Sequence, residues 1–149
     1  MTVRDMTAAD AADIHTLETL CFSDPWSVGD IESSVAAHYT QCLTLTEGDL
    51  TVGYVLTSML PPEGEILRIA VHPAHRGRRF GHALMHAVTE RARALGVQTV
   101  FLEVRSAGIA ARALYRAHGF TETGVRRAYY RDPTDDAVLM RLDVTNESL

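Results

Sequence analysis

The second half of the chain runs in the order helix, strand, helix, and this order constrains the fold more than any other feature of the sequence. Residues 97–104 (VQTVFLEV) are the most strand-like run, because they are rich in β-branched residues. Apolar side chains recur at helical spacing before this run until Gly96, and residues 110–118 form a second helical pattern that ends at Gly119. A strand between two helices predicts a mixed α/β domain.

Six further strand patterns accompany this unit. They lie at residues 2–4, 41–46, 51–59, 65–72, 120–127 and 137–144. Two more helices are predicted, one over residues 8–20 after Thr7 and one over residues 27–37 with Ser27 as its N-cap. With 149 residues, 46% of them hydrophobic, the chain is long enough for one domain with its own core, which we expect to span residues 1–149.

Composition excludes several classes of protein. No apolar run approaches the ~20 residues of a membrane span, and the N-terminus lacks the pattern of a signal peptide. The two cysteines, Cys21 and Cys42, form neither a disulfide framework nor a CxxC metal motif, and we expect both to be small core residues. These features predict a cytoplasmic protein that contacts no membrane.

Charge is unevenly distributed along the chain. All 14 basic residues are arginines, and the net charge is −5. Residues 1–67 carry a net charge of −10, residues 68–131 carry +9, and residues 132–149 carry −4. A basic segment within an acidic chain indicates a local anion site, and it argues against a broad nucleic-acid surface.

The basic segment contains a loop suited to phosphate. Residues 71–84 are a strand end, a loop with arginines and glycines, and the start of a long helix. Backbone N–H groups at a helix N-terminus bind anions, and Gly77 and Gly81 would let the backbone approach a ligand closely. Neither GxxxxGK[ST] nor GxGxxG is present, which excludes P-loop and Rossmann nucleotide sites. A plain surface loop with solvated arginines remains an equally good interpretation of the spacing alone.

Four histidines lie in the same region, at residues 72, 75, 82 and 86. His82 and His86 would lie four residues apart on the predicted helix, and two histidines at that spacing can hold a metal ion. However, residues 72–86 contain no Asp, Glu or Cys, and the neighbouring arginines repel a cation. We therefore predict no metal site.

Glu103 and Tyr115 are candidates for proton transfer. Glu103 lies within an apolar strand, where its alternate neighbours Phe101 and Arg105 would share its face with a cleft. Partial burial of a carboxyl group raises its pKa, which suits a general base, and the Tyr115 phenol on the next helix could supply a proton. The alternative is a strand-edge glutamate paired with an arginine, and a tyrosine that belongs to the core.

Together these segments resemble the GCN5-related N-acetyltransferases, the GNAT family. The family's acetyl-CoA motif, [Q/R]-x-x-G-x-[G/A], aligns with RGRRFG at residues 76–81, which keeps the first and last residues of the motif. Within the family the chain is similar to the RimI-type branch, which acetylates the N-terminal alanine of a small-subunit ribosomal protein. The segments that carry this similarity are CFSDPWS, EILRIAVHP, LEVR, ALYRAHGF, GVRRAYY and DDAVLM.

The resemblance implies a fold and a set of roles. The fold would be a mixed, mostly antiparallel sheet of about seven strands with about four helices. Acetyl-CoA would be bound by Ile69, Ala70 and Val71 along its pantetheine arm and, at its pyrophosphate, by Arg76, Gly77, Arg78, Arg79, Phe80, Gly81 and His82. Glu103 would be the general base and Tyr115 the general acid in a direct transfer without a metal. Trp26, Tyr129 and Tyr130 would flank the entrance for the acceptor peptide.

Two residues depart from the family pattern. Arg79 replaces the first glycine of the motif, and Gly108 stands where RimI-type enzymes have an asparagine beside the cofactor. We expect these changes to weaken acetyl-CoA binding without abolishing it. Two other functions remain open: acetylation of a small-molecule amine or a lysine side chain, and a non-catalytic module that binds acetyl-CoA. We expect a monomer or weak dimer that makes no direct contact with nucleic acid.

Overall fold

The structure is a computed structural model that describes residues 1–144, so the last five residues of the predicted domain lie outside the described part. The strands are β1 (Thr2–Asp5), β2 (Leu43–Glu47), β3 (Leu50–Leu60), β4 (Glu63–Val71), β5 (Thr99–Arg105), β6 (Thr121–Tyr130) and β7 (Asp135–Asp143). The helices are α1 (Ala11–Cys21), α2 (Val28–Ala36), α3 (Phe80–Leu95) and α4 (Ile109–Ala117). The predicted α/β class is confirmed.

All seven strands form one sheet, in the order β1-β2-β3-β4-β5-β7-β6. Only β4 and β5 run parallel, and the other neighbouring pairs are antiparallel. The mostly antiparallel sheet is thus confirmed. A parallel pair needs a crossover connection, and α3 supplies it because it lies between β4 and β5 in the chain.

The first helix begins later than the sequence predicts. Ala8–Asp10 form a 3-10 turn, and α1 starts at Ala11. The second helix begins as predicted, because the Ser27 hydroxyl accepts a hydrogen bond from the Asp30 N–H at 3.0 Å. Within residues 1–144, no helix combines the length and apolar character needed to cross a bilayer.

The sheet buries a separate apolar cluster on each face. One cluster packs α3 and α4 against the sheet and includes Leu84 and Val88. The other packs α1 and α2 against the opposite face and includes Ile14. β3 serves both clusters because side chains alternate along a strand: Tyr54 belongs to the α1–α2 cluster and Val55 to the α3–α4 cluster.

The sheet separates between β4 and β5. These strands pair over only three residues each, from Glu63 with Thr99 to Glu65 with Phe101. Immediately beyond, the β3–β4 register skips Leu67, which makes a β-bulge that bends β4. β5 stays paired with β7 to its end. Two unpaired strand edges, residues 66–71 and 102–105, therefore face each other across a gap.

Candidate active site

The gap between β4 and β5 opens into a cleft of about 800 Å³. Its walls are the two unpaired strand edges, the loop before α3, the start of α4, and the α1–α2 and β6–β7 loops. A second depression of about 700 Å³, here called the mouth, adjoins the cleft and shares Arg68, Glu103 and Tyr130 with it. The site therefore has two connected compartments, and Glu103 lies where they meet.

The structure brings most of the predicted site residues together. Of the predicted site residues, those that line the cleft are Ile69, Ala70, Val71, Arg76, Gly77, Arg79, Phe80, Gly81, His82, Glu103, Gly108, Tyr115 and Tyr130. Trp26 and Tyr129 line the mouth, again with Tyr130. Arg78 is the exception, because its guanidinium turns to β2 and pairs with Glu47 at 2.7 Å.

The loop before α3 contains two residues in the left-handed backbone region. Gly77 has a φ of +80°, and Arg79, the N-cap of α3, has a φ of 64°. Glycine adopts this region freely, whereas other residues are strained there. The backbone at residue 79 requires a positive φ. The glycine of the family motif adopts it freely, and Arg79 adopts it with strain.

We expect Arg79→Gly to raise the free energy of unfolding by about 0.5–1 kcal/mol. Glycine relieves a backbone strain of ~1–2 kcal/mol, and its greater freedom in the unfolded chain offsets ~0.5–1 kcal/mol of that gain. Urea unfolding measures the change. As a matched control, Ala74→Gly in the preceding 3-10 turn should lower the free energy of unfolding, since no positive φ requires glycine there. A less stable Arg79→Gly protein would contradict the prediction.

Gly81 and Gly108 have packing roles of their own. A Cβ at residue 81 would lie 3.1 Å from Leu114, so this glycine lets α3 pack closely on α4. A Cβ at residue 108 would lie 3.1 Å from the carbonyl oxygen of Arg105. Close approach of a ligand to Gly81, and the effect of Gly108 on acetyl-CoA binding, stay predictions.

Glu103 combines the two interpretations that the sequence left open. It faces the cleft, and it also has an arginine neighbour, since Nε of Arg126 lies 3.6 Å from Oε1. The Glu103 side chain is 25% exposed. Glu65 also lines the mouth, where burial and the Glu103 charge raise the pKa of the Glu65 carboxyl. The sequence analysis missed Glu65, although the residue begins a strand-like run beside the proposed cofactor loop.

The tyrosines of the site hold their protons firmly. Tyr115 is 6% exposed and packs on Phe120, and burial raises the pKa of its phenol. Burial, together with the charge of Glu103, raises the pKa of Tyr130 to about 12. Both groups are therefore neutral at pH 7 and able to donate a proton or a hydrogen bond.

Comparison with known proteins decides the family. The model of the acetyltransferase (GNAT) family matches residues 11–120, which is most of the chain. The chain belongs to the GNAT family. It is accordingly an acetyltransferase that takes its acetyl group from acetyl-CoA.

Similar GNAT proteins match over nearly their whole length. N-alpha-acetyltransferase RimI of Mycobacterium tuberculosis is 39% identical over 96% of this chain and 92% of its own. The ribosomal protein bS18-alanine N-acetyltransferase of Escherichia coli is 30% identical over 97% of this chain and 98% of its own. A crystal structure of the Escherichia coli ribosomal-protein-S18-alanine N-acetyltransferase has a TM-score of 0.90 at 29% identity, and covers 99% of this chain and 97% of that one.

A buried ion pair underlies the mouth of this GNAT enzyme. Glu18 of α1 is fully buried and binds the Arg68 guanidinium of β4 at 2.7 Å. The same carboxylate accepts hydrogen bonds from the Tyr54 hydroxyl and, at 2.9 Å, from the main-chain N–H of Trp26. Arg68 also lies over the Phe22 ring, 3.9 Å from its centre. The α1–α2 loop is thereby fixed to β4. The sequence analysis missed this cluster, and its only signal was a carboxylate on the apolar face of a helix.

One prediction about the cysteines of the GNAT chain is wrong. Cys42 is buried in the α1–α2 cluster, as expected. Cys21 lines the cleft, where its sulfur lies 3.7 Å from the carbonyl oxygen of Val71 and 3.6 Å from Nη2 of Arg76. It lies at the end of α1, where the helix leaves the core, so helical spacing alone misplaced it. Burial raises the pKa of this thiol.

Fewer arginines of the basic segment, residues 68–131, are available to bind an anion than the net charge of +9 suggests. Several of its arginines pair with acidic residues of the first segment: Arg68 with Glu18, Arg78 with Glu47, and Arg91 with Asp5. Arg76 and Arg79 remain in the cleft wall. Within the described part of the chain, no cluster of three or more His, Cys, Asp or Glu residues could hold a metal ion.

Proposed function

We propose that this GNAT enzyme acetylates the N-terminal α-amino group of a protein, the terminal alanine of a small-subunit ribosomal protein. The observation that carries the proposal is the two-compartment site, in which a cleft for the donor meets a separate mouth at Glu103. The names of the 39% and 30% identical relatives support the choice of acceptor. We also place the enzyme in the cytoplasm, where it would act without direct contact with nucleic acid or membrane.

The unpaired strand edges suit the donor. An extended amide chain adds to an exposed strand edge through main-chain hydrogen bonds, and the pantetheine arm of acetyl-CoA carries such amides. Ile69, Ala70 and Val71 lie on the edge of β4 that faces the cleft. The pyrophosphate would then lie against the loop from Arg76 to His82, at the N-terminus of α3, where N–H groups and the helix dipole favour an anion.

The transfer requires three proton movements. Glu103, acting through a water molecule, removes one proton from the acceptor ammonium, and the neutral amine attacks the thioester carbonyl carbon. The C–N bond forms, the nitrogen of the tetrahedral intermediate loses its second proton to water, and collapse of the intermediate breaks the C–S bond. Tyr115 protonates the departing thiolate and is reprotonated from solvent. Its raised pKa means that the phenol still carries the proton to be donated at neutral pH.

The mouth suits a peptide end. Trp26, Tyr129 and Tyr130 rim it, and the last two stack edge to face with ring centres 5.1 Å apart. The carboxylates of Glu65 and Glu103 give it negative charge, which attracts an ammonium group. The backbone at Trp26 is held in place by the hydrogen bond from its main-chain N–H to the buried Glu18.

A panel of acceptors tests the proposal. At pH 7 an α-amino group, with a pKa near ~8, is neutral about two orders of magnitude more often than a lysine side chain with a pKa near ~10.4. We expect a peptide that begins with a free alanine to be acetylated about 100-fold faster than the same peptide with a blocked N-terminus and an internal lysine. Mass spectrometry identifies the acetylated nitrogen.

Serine- and methionine-starting peptides complete the panel and measure selectivity for the first side chain. A simple polyamine serves as the small-molecule acceptor. Turnover confined to the blocked lysine peptide, or to the polyamine, would overturn the proposed acceptor. Acetyl-CoA binding without turnover of any acceptor would favour the non-catalytic module.

A further inference from the structure

Two histidines form a hydrogen-bonded pair in the wall of the cleft. His82, in the first turn of α3, lines the cleft, and its Nδ1 lies 2.9 Å from Nε2 of His118, which follows α4. The ring centres are 5.1 Å apart. Both side chains are partly buried. Because Nδ1 of His82 is engaged, Nε2 is the ring nitrogen left for a ligand in the cleft.

The hydrogen bond restricts where protons can lie. In the uncharged pair either ring can be the donor, and when His82 donates from Nδ1 its Nε2 is a bare acceptor. One added proton removes this arrangement. If His82 carries the charge, both of its nitrogens bear hydrogen; if His118 carries it, His82 accepts at Nδ1 and bears hydrogen at Nε2. In the singly charged pair, Nε2 of His82 is therefore always a donor.

The surroundings of the pair disfavour a positive charge on His118. Burial lowers the pKa of His118, and the neighbouring His82, His86 and Arg79 lower it further. His86 and Arg79 lie on the α3 side, and each is cationic when charged. A phosphate group in the cleft would oppose this positive potential and favour protonation.

We propose that the His82–His118 pair is a proton-linked binding element for the diphosphate of CoA. On binding, the pair takes up one proton from solvent, and Nε2 of His82 donates a hydrogen bond to a phosphate oxygen. His118 remains hydrogen-bonded to Nδ1 of His82 and shares the charge. The inference rests on the proposed position of the pyrophosphate beside residues 76–82. By linkage, affinity for the donor rises as the pH falls through neutrality.

Calorimetry of 3′-dephospho-CoA binding tests the pair. This probe keeps the diphosphate but lacks the 3′-phosphate, whose own pKa near ~6 would confuse the proton count. Titrations at pH 7 in buffers with different ionisation enthalpies give the number of protons taken up. We expect uptake of about one proton, and a dissociation constant that increases by up to about tenfold per pH unit between pH ~6.5 and ~7.5.

Three variants separate the pair from other groups. His82→Gln should abolish proton uptake, and His118→Leu should reduce it because the imidazolium loses its hydrogen-bond partner. His38→Gln, at an exposed site outside the cleft, should leave it unchanged. Thermal unfolding checks that each variant is folded, and a nitrogen NMR titration of the unmodified protein follows the two rings without any substitution.

The outcomes distinguish this inference from the proposed function. Binding with a buffer-independent enthalpy, or proton uptake that survives His82→Gln, would overturn the role of the pair and leave the acetyl-transfer proposal intact. Failure of the unmodified protein to bind either acetyl-CoA or dephospho-CoA would overturn the position of the donor itself. Ring nitrogens that do not change their titration when dephospho-CoA is added would also contradict the inference.

Discussion

Glu103→Gln should lower kcat for an alanine-starting peptide by about 10²- to 10³-fold, which is within the usual contribution of a general base. The amide keeps the size and polarity of the carboxylate but cannot take the proton from the acceptor ammonium. The loss should appear in kcat, with a smaller change in KM for acetyl-CoA, because Glu103 lies at the junction of the two compartments, where the acceptor amine would meet the donor.

The pH profile of the variant provides a second measurement. Without the base, only amine that is already neutral can react, so the rate of Glu103→Gln should rise with pH up to the acceptor pKa near ~8. Glu63→Gln, at the exposed start of β4, is the matched control and should retain full activity. Full activity in Glu103→Gln would show that another group, with Glu65 the nearest candidate, is the base.

Arg68→Met should lower the free energy of unfolding by about 3–5 kcal/mol. Methionine fills much of the same space, but it leaves Glu18 fully buried without its cation, which is the costly way to break a buried pair. Urea unfolding measures the loss. The matched control is Arg91→Met, which breaks the more exposed pair with Asp5 and a hydrogen bond to Gln41 and should cost about 1 kcal/mol.

The same variant should disturb the mouth before the protein unfolds. Trp26 is the single tryptophan of the chain, its main-chain N–H is bound to Glu18, and the Arg68 guanidinium lies 5.9 Å from the centre of its ring. Its fluorescence should therefore change in the folded Arg68→Met protein, and KM for the peptide should rise more than KM for acetyl-CoA. If Arg68→Met lowers the free energy of unfolding no more than Arg91→Met does, the ion pair of Glu18 with Arg68 does not anchor the α1–α2 loop.

The fold could be predicted from the sequence because local signals agree with one another. The strand patterns, the Ser27 cap and the stop at Gly96 each follow from nearby residues, and each occurs in the structure. The first helix shows the limit of this reasoning, since helical spacing did not separate the 3-10 turn at Ala8–Asp10 from α1. Turn types at helix ends depend on hydrogen bonds that spacing does not specify.

The candidate site was harder to predict because its residues come from parts of the chain that are far apart in sequence. Contacts such as Glu18 with Arg68, or His82 with His118, join residues 50 and 36 positions apart, and no local pattern indicates them. For the same reason, the net charge of the basic segment overstated the positive charge that is free to bind an anion. Arg78 and Arg91 belong to the basic segment, yet their partners are acids of the first segment.

The bulge at Leu67 has a consequence for how this chain can change over time. It opens the sheet so that main-chain groups of residues 66–71 and 102–105 face the cleft. A donor held by main-chain groups, as we propose, is insensitive to which side chains the strands carry. Drift at these positions leaves its binding largely intact, and only proline removes a donor N–H outright. Recognition of the acetyl donor can thus persist while the side chains around the mouth diverge toward new acceptors.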